Sequence, residues 1–254
     1  MIKLKILLVT YLTITGSMVF CQNAPKADKM PAKDLIVIGH RGMGAEMKEN
    51  TIGAFKAAHS IKLDYIETDV WLTKDLVPVI THGDSTHGYC EMIDKITKEK
   101  KNIYITKTEY KDLKKLVYVK TGEPMPTLKK VLKIFKEGST KVNLELKDWR
   151  SDIVTVALQV IFELDMAEKI FFSSFVHKHH ITLHKELINL GYPTNTFGFG
   201  YLSEYWYLVP EWSAIQEYIN PGMDFVILDT EMMLYGWEEE FLQARDEAQK
   251  YGVG

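Results

Sequence analysis

Residues 37–84 read "VIGHRGMGAEMKENTIGAFKAAHSIKLDYIETDVWLTKDLVPVITHGD". The apolar runs in this stretch decide the fold. It opens inside "LIVI" (Leu35 to Ile38), a strand-like run that ends in a glycine and polar cluster. "NTIGAFKAAHSI" follows with helical apolar spacing and Asn50 or Thr51 near its cap, and then come two more strand-like runs, "YIETDVWLT" and "LVPVITHG". Strand, loop and helix form the unit.

The rhythm continues downstream. "TLKKVLKIFKEG" reads as helix, "KVNLELK" as strand, "DIVTVALQVIFELDMAEK" as helix, "KIFFSSF" as strand and "HKHHITLHKELINLG" as helix. "TNTFGFGYL" and "DFVILDT" add strands, with helices at "PEWSAIQEYINPG" and "WEEEFLQARDEAQKYG". Alternation of this kind argues for a parallel α/β fold. Candidate strands beginning at Leu35, Tyr65, Val77, Lys141, Lys169, Pro193 and Asp224 number seven, and an eighth would begin at the closing "GVG". A closed eight-stranded barrel takes about 250 residues. The expectation is therefore a TIM-type (β/α)8 barrel truncated before its eighth strand. Ser85 to Lys101 reads as a polar excursion between barrel units.

The 254 residues are 46% apolar, carry a formal charge of -3 and have a pI near 6.3. No nucleic-acid footprint or polybasic membrane patch stands out, so a small-molecule substrate is the expected partner. The sequence carries no signal for oligomeric state. At the start, Lys3 and Lys5 precede an uncharged run from Ile6 to Phe20 and a polar, Pro-containing stretch. This is the layout of a secretory signal peptide, with a retained membrane anchor as the alternative. The expected organisation is a signal peptide at 1–22, a linker at 23–34 and a barrel domain at 35–254, in a secreted or extracytoplasmic protein. "MVFC" matches a lipoprotein cleavage site poorly. Only Cys21 and Cys90 exist, so no disulfide is expected inside the mature domain.

Side chains two apart on a strand share a face, which pairs Glu67 with Asp69 and Glu145 with Lys147. Carboxylates gathered in a barrel mouth need a partner, and Glu67, Asp69 and Glu145 together suit a hard divalent cation, Mg2+ or Ca2+ rather than zinc. His40 and His82 each follow an apolar run, where barrel enzymes place reacting groups, and imidazoles serve as acid and base near neutral pH. Arg41 offers a bidentate clamp for phosphate. Lys147 can bind phosphate while also pairing with Glu145. The set suggests phosphoryl chemistry.

"GHRG", "ENTIGAF", "ETD", "PVITHGD", "PTL" and "NLELK", in that order, resemble the glycerophosphodiester phosphodiesterase family, with "FFSSF" as a further landmark. The resemblance implies a TIM-type barrel and metal-dependent hydrolysis of glycerophosphodiesters to glycerol 3-phosphate and an alcohol. It implies His40 and His82 as the acid/base pair, Glu67, Asp69 and Glu145 as metal ligands, and Arg41 and Lys147 as phosphate contacts. Two departures stand out. The family reads His-Asp where this chain has His82-Gly83-Asp84, and a C-terminal strand that often brings an aromatic residue to the mouth is missing.

Rival expectations are a lysophospholipase D-like activity on membrane-derived lipid, and a non-catalytic barrel fragment acting as a binding module. "VHKHHITLHK" reads as a solvated helix face rather than a metal site, because it lacks the glutamate of the zinc-protease motif. "YLSEYWYLVPEW" reads as core packing and loop anchoring rather than an aromatic wall.

Overall fold

A computed structural model describes residues 37–87, 90–176, 178–202 and 225–227. In chain order the elements are β1 (Ile38–Gly39), α1 (Ile52–Ser60), β2 (Tyr65–Leu72), β3 (Pro78–Ile80), β4 (Met92–Asp94), α2 (Tyr110–Leu113), β5 (Leu116–Tyr118), α3 (Leu128–Phe135), β6 (Lys141–Leu146), α4 (Asp152–Glu163), β7 (Ile170–Ser174), α5 (Lys178–Asn189), β8 (Gly198–Leu202) and β9 (Phe225–Ile227). The strands β1-β2-β6-β7-β8-β9 are parallel neighbours in that order, with α1, α3, α4 and α5 preceding β2, β6, β7 and β8. This is an α/β barrel of the TIM type.

The main core lies between the sheet and its helices. Ile66, Val70 and Leu72 of β2 and Val142, Leu144 and Leu146 of β6 alternate toward it, and the opposite face keeps Glu67, Asp69, Asn143 and Glu145. On α3, Leu128, Val131, Leu132 and Phe135 fall at helical spacing and are all buried. Helix α1 starts at Thr51, whose Oγ1 accepts the Ala54 N–H at 3.2 Å. Asn50 is therefore not the capping residue.

Three expectations need correction. "LVPVITHG" does not supply a parallel barrel strand: β3 pairs antiparallel with β2, Trp71 opposite Val79. Only residues 73–77 link the two strands, closed by the Thr73 N–H on the Val77 carbonyl at 3.0 Å, and a parallel crossover needs a dozen residues or more. Six parallel strands are thus described, not the sequence count of seven. The eighth-strand candidate lies outside the described residues, as do the signal peptide, the linker and both C-terminal helix candidates.

The second correction concerns the excursion after His82. It extends past Lys101 as a β4–β5 hairpin with its own core of Val79, Cys90, Met92, Ile105, Leu113, Leu116, Tyr118 and Met125. A polar surface loop would have left these side chains in water. Third, the strand placed at Pro193 begins at Gly198, after a 3-10 turn at Thr194–Thr196.

Candidate active site

Strand β2 carries the acidic residues. Its register against β6 sets Asp69 opposite Glu145 and Glu67 opposite Asn143. One ligand oxygen from each of Glu67, Asp69 and Glu145 lies within 4.8 Å of the others, and all three residues are buried. Three carboxylates this close repel one another and have lost their water, so each needs compensation.

Cations from two loops supply part of it. Lys147 Nζ lies 2.9 Å from Glu145 Oε1 and 3.4 Å from Asp69 Oδ1. Arg41 Nε lies 3.4 Å from Asp69 Oδ2, while its other end donates to Glu49 Oε2 at 2.7 Å. The Arg41 backbone N–H donates to Glu67 Oε2 at 3.0 Å, and His40 Nε2 lies 3.7 Å from the same oxygen. Arg41 adopts φ 55, in the left-handed region that a side chain seldom occupies. That turn aims both its N–H and its guanidinium at the carboxylates.

His82 arrives by the hairpin. The Thr81 N–H donates to the Asp69 carbonyl at 3.1 Å, and Trp71 Nε1 donates to the His82 carbonyl at 3.3 Å. His82 lies near enough to Asp69 and His40 for its protonation to be felt by both. All seven site residues expected from the sequence therefore meet in one place. Asp84, following the extra glycine, is exposed and contributes its carbonyl to the Ile105 N–H at 2.7 Å.

The sequence reading missed Asn50, whose Nδ2 donates to Asp69 Oδ2 at 2.8 Å and whose Oδ1 accepts from Thr68. Its place in "ENTIGAF" was the available signal. Glu49, holding Arg41, was missed too. In the "VHKHHITLHK" cluster the solvated-face reading fails for His179 and His180, which are buried. The His180 ring lies 4.1 Å from that of His184 and 5.1 Å from Phe199.

Burial, and then the charge of Arg41, lowers His40 to a pKa of about 4. Burial also lowers His82 to about 4, so both imidazoles are neutral at pH 7. Burial and the neighbouring Asp69 push Glu145 up to about 7, and burial with Asp69 and Glu145 holds Glu67 well above the carboxylate range. Burial would raise Asp69 as well, but Lys147 and Arg41 outweigh it and hold Asp69 low.

The donor set fits a hard cation. Glu67 Oε1 and Asp69 Oδ1 are buried without a hydrogen-bond partner, and both belong to the converging oxygens' residues. A divalent ion there would satisfy them and relieve the repulsion that raises Glu67 and Glu145. Beside the cluster, a cavity of about 480 Å³ is lined by His40, Arg41 and Glu49 together with Val37, Met43, Ile61 and Leu63.

The chain is similar to known proteins in sequence and in fold. Over 151 residues the chain is 32% identical to a glycerophosphodiester phosphodiesterase of Caldanaerobacter subterraneus subsp. tengcongensis, covering 56% of this chain and 58% of that protein. The chain spans about half the length of the curated relatives it matches. Among solved structures, a Thermotoga maritima glycerophosphodiester phosphodiesterase superposes with a TM-score of 0.58 at 19% identity, over 86% of this chain and 83% of that one. An Oleispira antarctica phosphodiesterase in complex with the product sn-glycerol-3-phosphate gives 0.60 at 22% identity, over 76% and 74%. Both likenesses bear on the fold. The model of the glycerophosphoryl diester phosphodiesterase family matches from His40, the first residue of the site, through residue 205, well beyond the strands that carry its carboxylates, and the chain belongs to that family.

Proposed function

We propose that this protein hydrolyses glycerophosphodiesters to glycerol 3-phosphate and an alcohol, with Mg2+ or Ca2+ held by Glu67, Asp69 and Glu145. The observation that carries this reading is the convergence of three buried carboxylates, two with unsatisfied oxygens, beside Arg41, Lys147 and two histidines. The relatives' names and the product complex of the Oleispira protein support it.

When bound, the cation would polarise a phosphate oxygen and acidify a hydroxyl. Arg41 and Lys147 bind the phosphate and balance the charge that builds on it. Their existing pairings with Asp69 and Glu145 hold them in place beforehand. His40 and His82, neutral at pH 7 in the absence of substrate, divide the proton work. One accepts the proton of the attacking hydroxyl, and the other, once protonated beside the anionic phosphate, gives its proton to the leaving oxygen.

A second reading is a lysophospholipase D-type reaction on a diester with a lipid-like group, for which the same carboxylates, Arg41 and Lys147 would serve. We also infer export directed by residues 1–22, from Lys3, Lys5 and the uncharged run that follows. A mature N-terminus beyond residue 22 in the secreted fraction, read by mass spectrometry, would support export, and an intact Met1 there would refute it.

Phosphorus NMR of the protein with glycerophosphocholine, and separately with lysophosphatidylcholine, tests the activity. Glycerol 3-phosphate should appear with Mg2+ or Ca2+ and not with chelator. Release from lysophosphatidylcholine alone would favour the second reading, and no turnover of either substrate with either metal would refute both.

Cation affinity should also depend on pH. Glu145 titrates near 7 in the metal-free site, so below that pH a proton must leave before the ion binds. Because Glu67 is also held above the carboxylate range, affinity should rise with pH by at least about tenfold per pH unit below 7, where Glu145 alone releases one proton. Calorimetry at pH 6 and 8 in buffers of different ionisation enthalpy measures both the affinity and the proton release. Equal affinities at the two pH values would count against Glu145 as a ligand.

A further inference from the structure

The β2–β6 ladder ends with the Lys147 N–H on the Val70 carbonyl at 3.1 Å. One residue later a side chain replaces the main chain. Asp148 is fully buried, and its Oδ2 accepts the Leu72 N–H at 3.1 Å, a donor on the neighbouring strand. Arg150 closes the turn on the same carboxylate, with its backbone N–H and Nε each 2.9 Å from Oδ1 and one terminal nitrogen 2.5 Å from Oδ2. The guanidinium also reaches the Leu72 carbonyl at 2.6 Å and the Thr73 carbonyl at 3.3 Å.

A third element joins from the outside. His179, in the first turn of α5, donates from Nε2 to the Asp148 carbonyl at 2.7 Å. Ser174 Oγ, at the end of β7, donates to the Leu146 carbonyl at 2.6 Å. The backbone on either side of Lys147 is thus tied to β2, β7 and α5. These bonds are charge-assisted or buried, which makes the turn stiff.

The stiffness matters because of what Lys147 is. Its side chain is long and flexible, and by itself it holds no fixed geometry for a phosphate. Fixing its backbone fixes the base from which Nζ reaches Glu145 Oε1 and Asp69 Oδ1.

We propose that Asp148, Arg150 and His179 are positioning residues for Lys147, holding its ammonium where the substrate phosphate binds. This deepens the proposed function and rests on that reading. It also gives His179 a role that the catalytic set leaves open.

Calorimetry of glycerol 3-phosphate binding in the presence of Mg2+ provides the test, on the parent, Arg150→Lys, Lys147→Met and the double variant. Arg150→Lys keeps the charge and is partly exposed, so the fold should survive, as a thermal melt would verify. It should weaken binding about tenfold, less than the roughly hundredfold that an ångström of misplacement can cause. In the Lys147→Met background the same change should add less than about twofold, because the group it positions has gone. Equal factors in both backgrounds would show that the clamp acts elsewhere and overturn the inference, as would unchanged binding in Arg150→Lys. A parent that binds no glycerol 3-phosphate with either Mg2+ or Ca2+ would overturn this inference, while the turnover assay decides the functional reading separately.

Discussion

Asp69→Asn will lower kcat/KM about a thousandfold or more, equivalent to about 4 kcal/mol of transition-state stabilisation. Asp69 is the hub of the site. Its Oδ2 meets Asn50 and Arg41, its Oδ1 faces Lys147, and it is paired across the sheet with Glu145. The substitution keeps the shape but removes one of the three negative charges, and it sets a new NH2 group against the donors of Asn50 or Lys147. Cation affinity should fall with activity, because Asp69 is the carboxylate that its surroundings keep ionised. Steady-state kinetics with saturating Mg2+ or Ca2+, together with calorimetry of the metal, would measure both. Activity within about tenfold of the parent would exclude Asp69 as a ligand, on the scale of losses seen for removed electrostatic groups.

His40→Ala will separate differently. Proton transfer by a positioned side chain contributes about a hundredfold to ten-thousandfold, so kcat should drop by that much while KM changes little. His40 meets the acidic cluster at Glu67 Oε2, at 3.7 Å, and Glu67 keeps the Arg41 backbone N–H without it. Metal affinity should therefore stay within a few-fold of the parent. With an imidazole pKa of about 4, His40 is already in its accepting form at neutral pH. Loss of metal binding in His40→Ala would move the residue from proton transfer to the cation site. An unchanged kcat would leave His82 to carry the proton work alone.

How much of the site was legible varies with the residue. Glu67 and Asp69 were readable as a pair because strand geometry alone places residues two apart on one face. Asn50 and Thr51 were both read as candidates for the helix cap, because either residue type before an apolar-periodic run looks like one. Thr51 takes that role, and Asn50 turns its side chain to Asp69. The direction of β3 was legible and misread: five residues cannot carry a parallel crossover. The second core around Tyr118 and Met92 was hidden by its lysines, which mask short apolar runs in a polar average. The burial of His179 and His180 depends on how α5 sits on the Asp148 turn and on Phe199 of β8, and helical spacing does not reveal which face packs.

By itself the sequence determined the alternation of strands and helices, the chemical types gathered around residues 40, 67, 82 and 145, and the order of motifs that marks the family. These follow from local periodicity and from residue identity, which a linear chain displays directly. Tertiary structure alone decided that Asp69 lies across from Glu145, that Lys147 and Arg41 bracket the carboxylates, and that Asp148 and Arg150 pin the turn beside them. It also decided which groups are charged. Desolvation and Coulomb attraction depend on burial and distance, so Glu145 rises to about 7 while Asp69, two strand positions from Glu67, stays low.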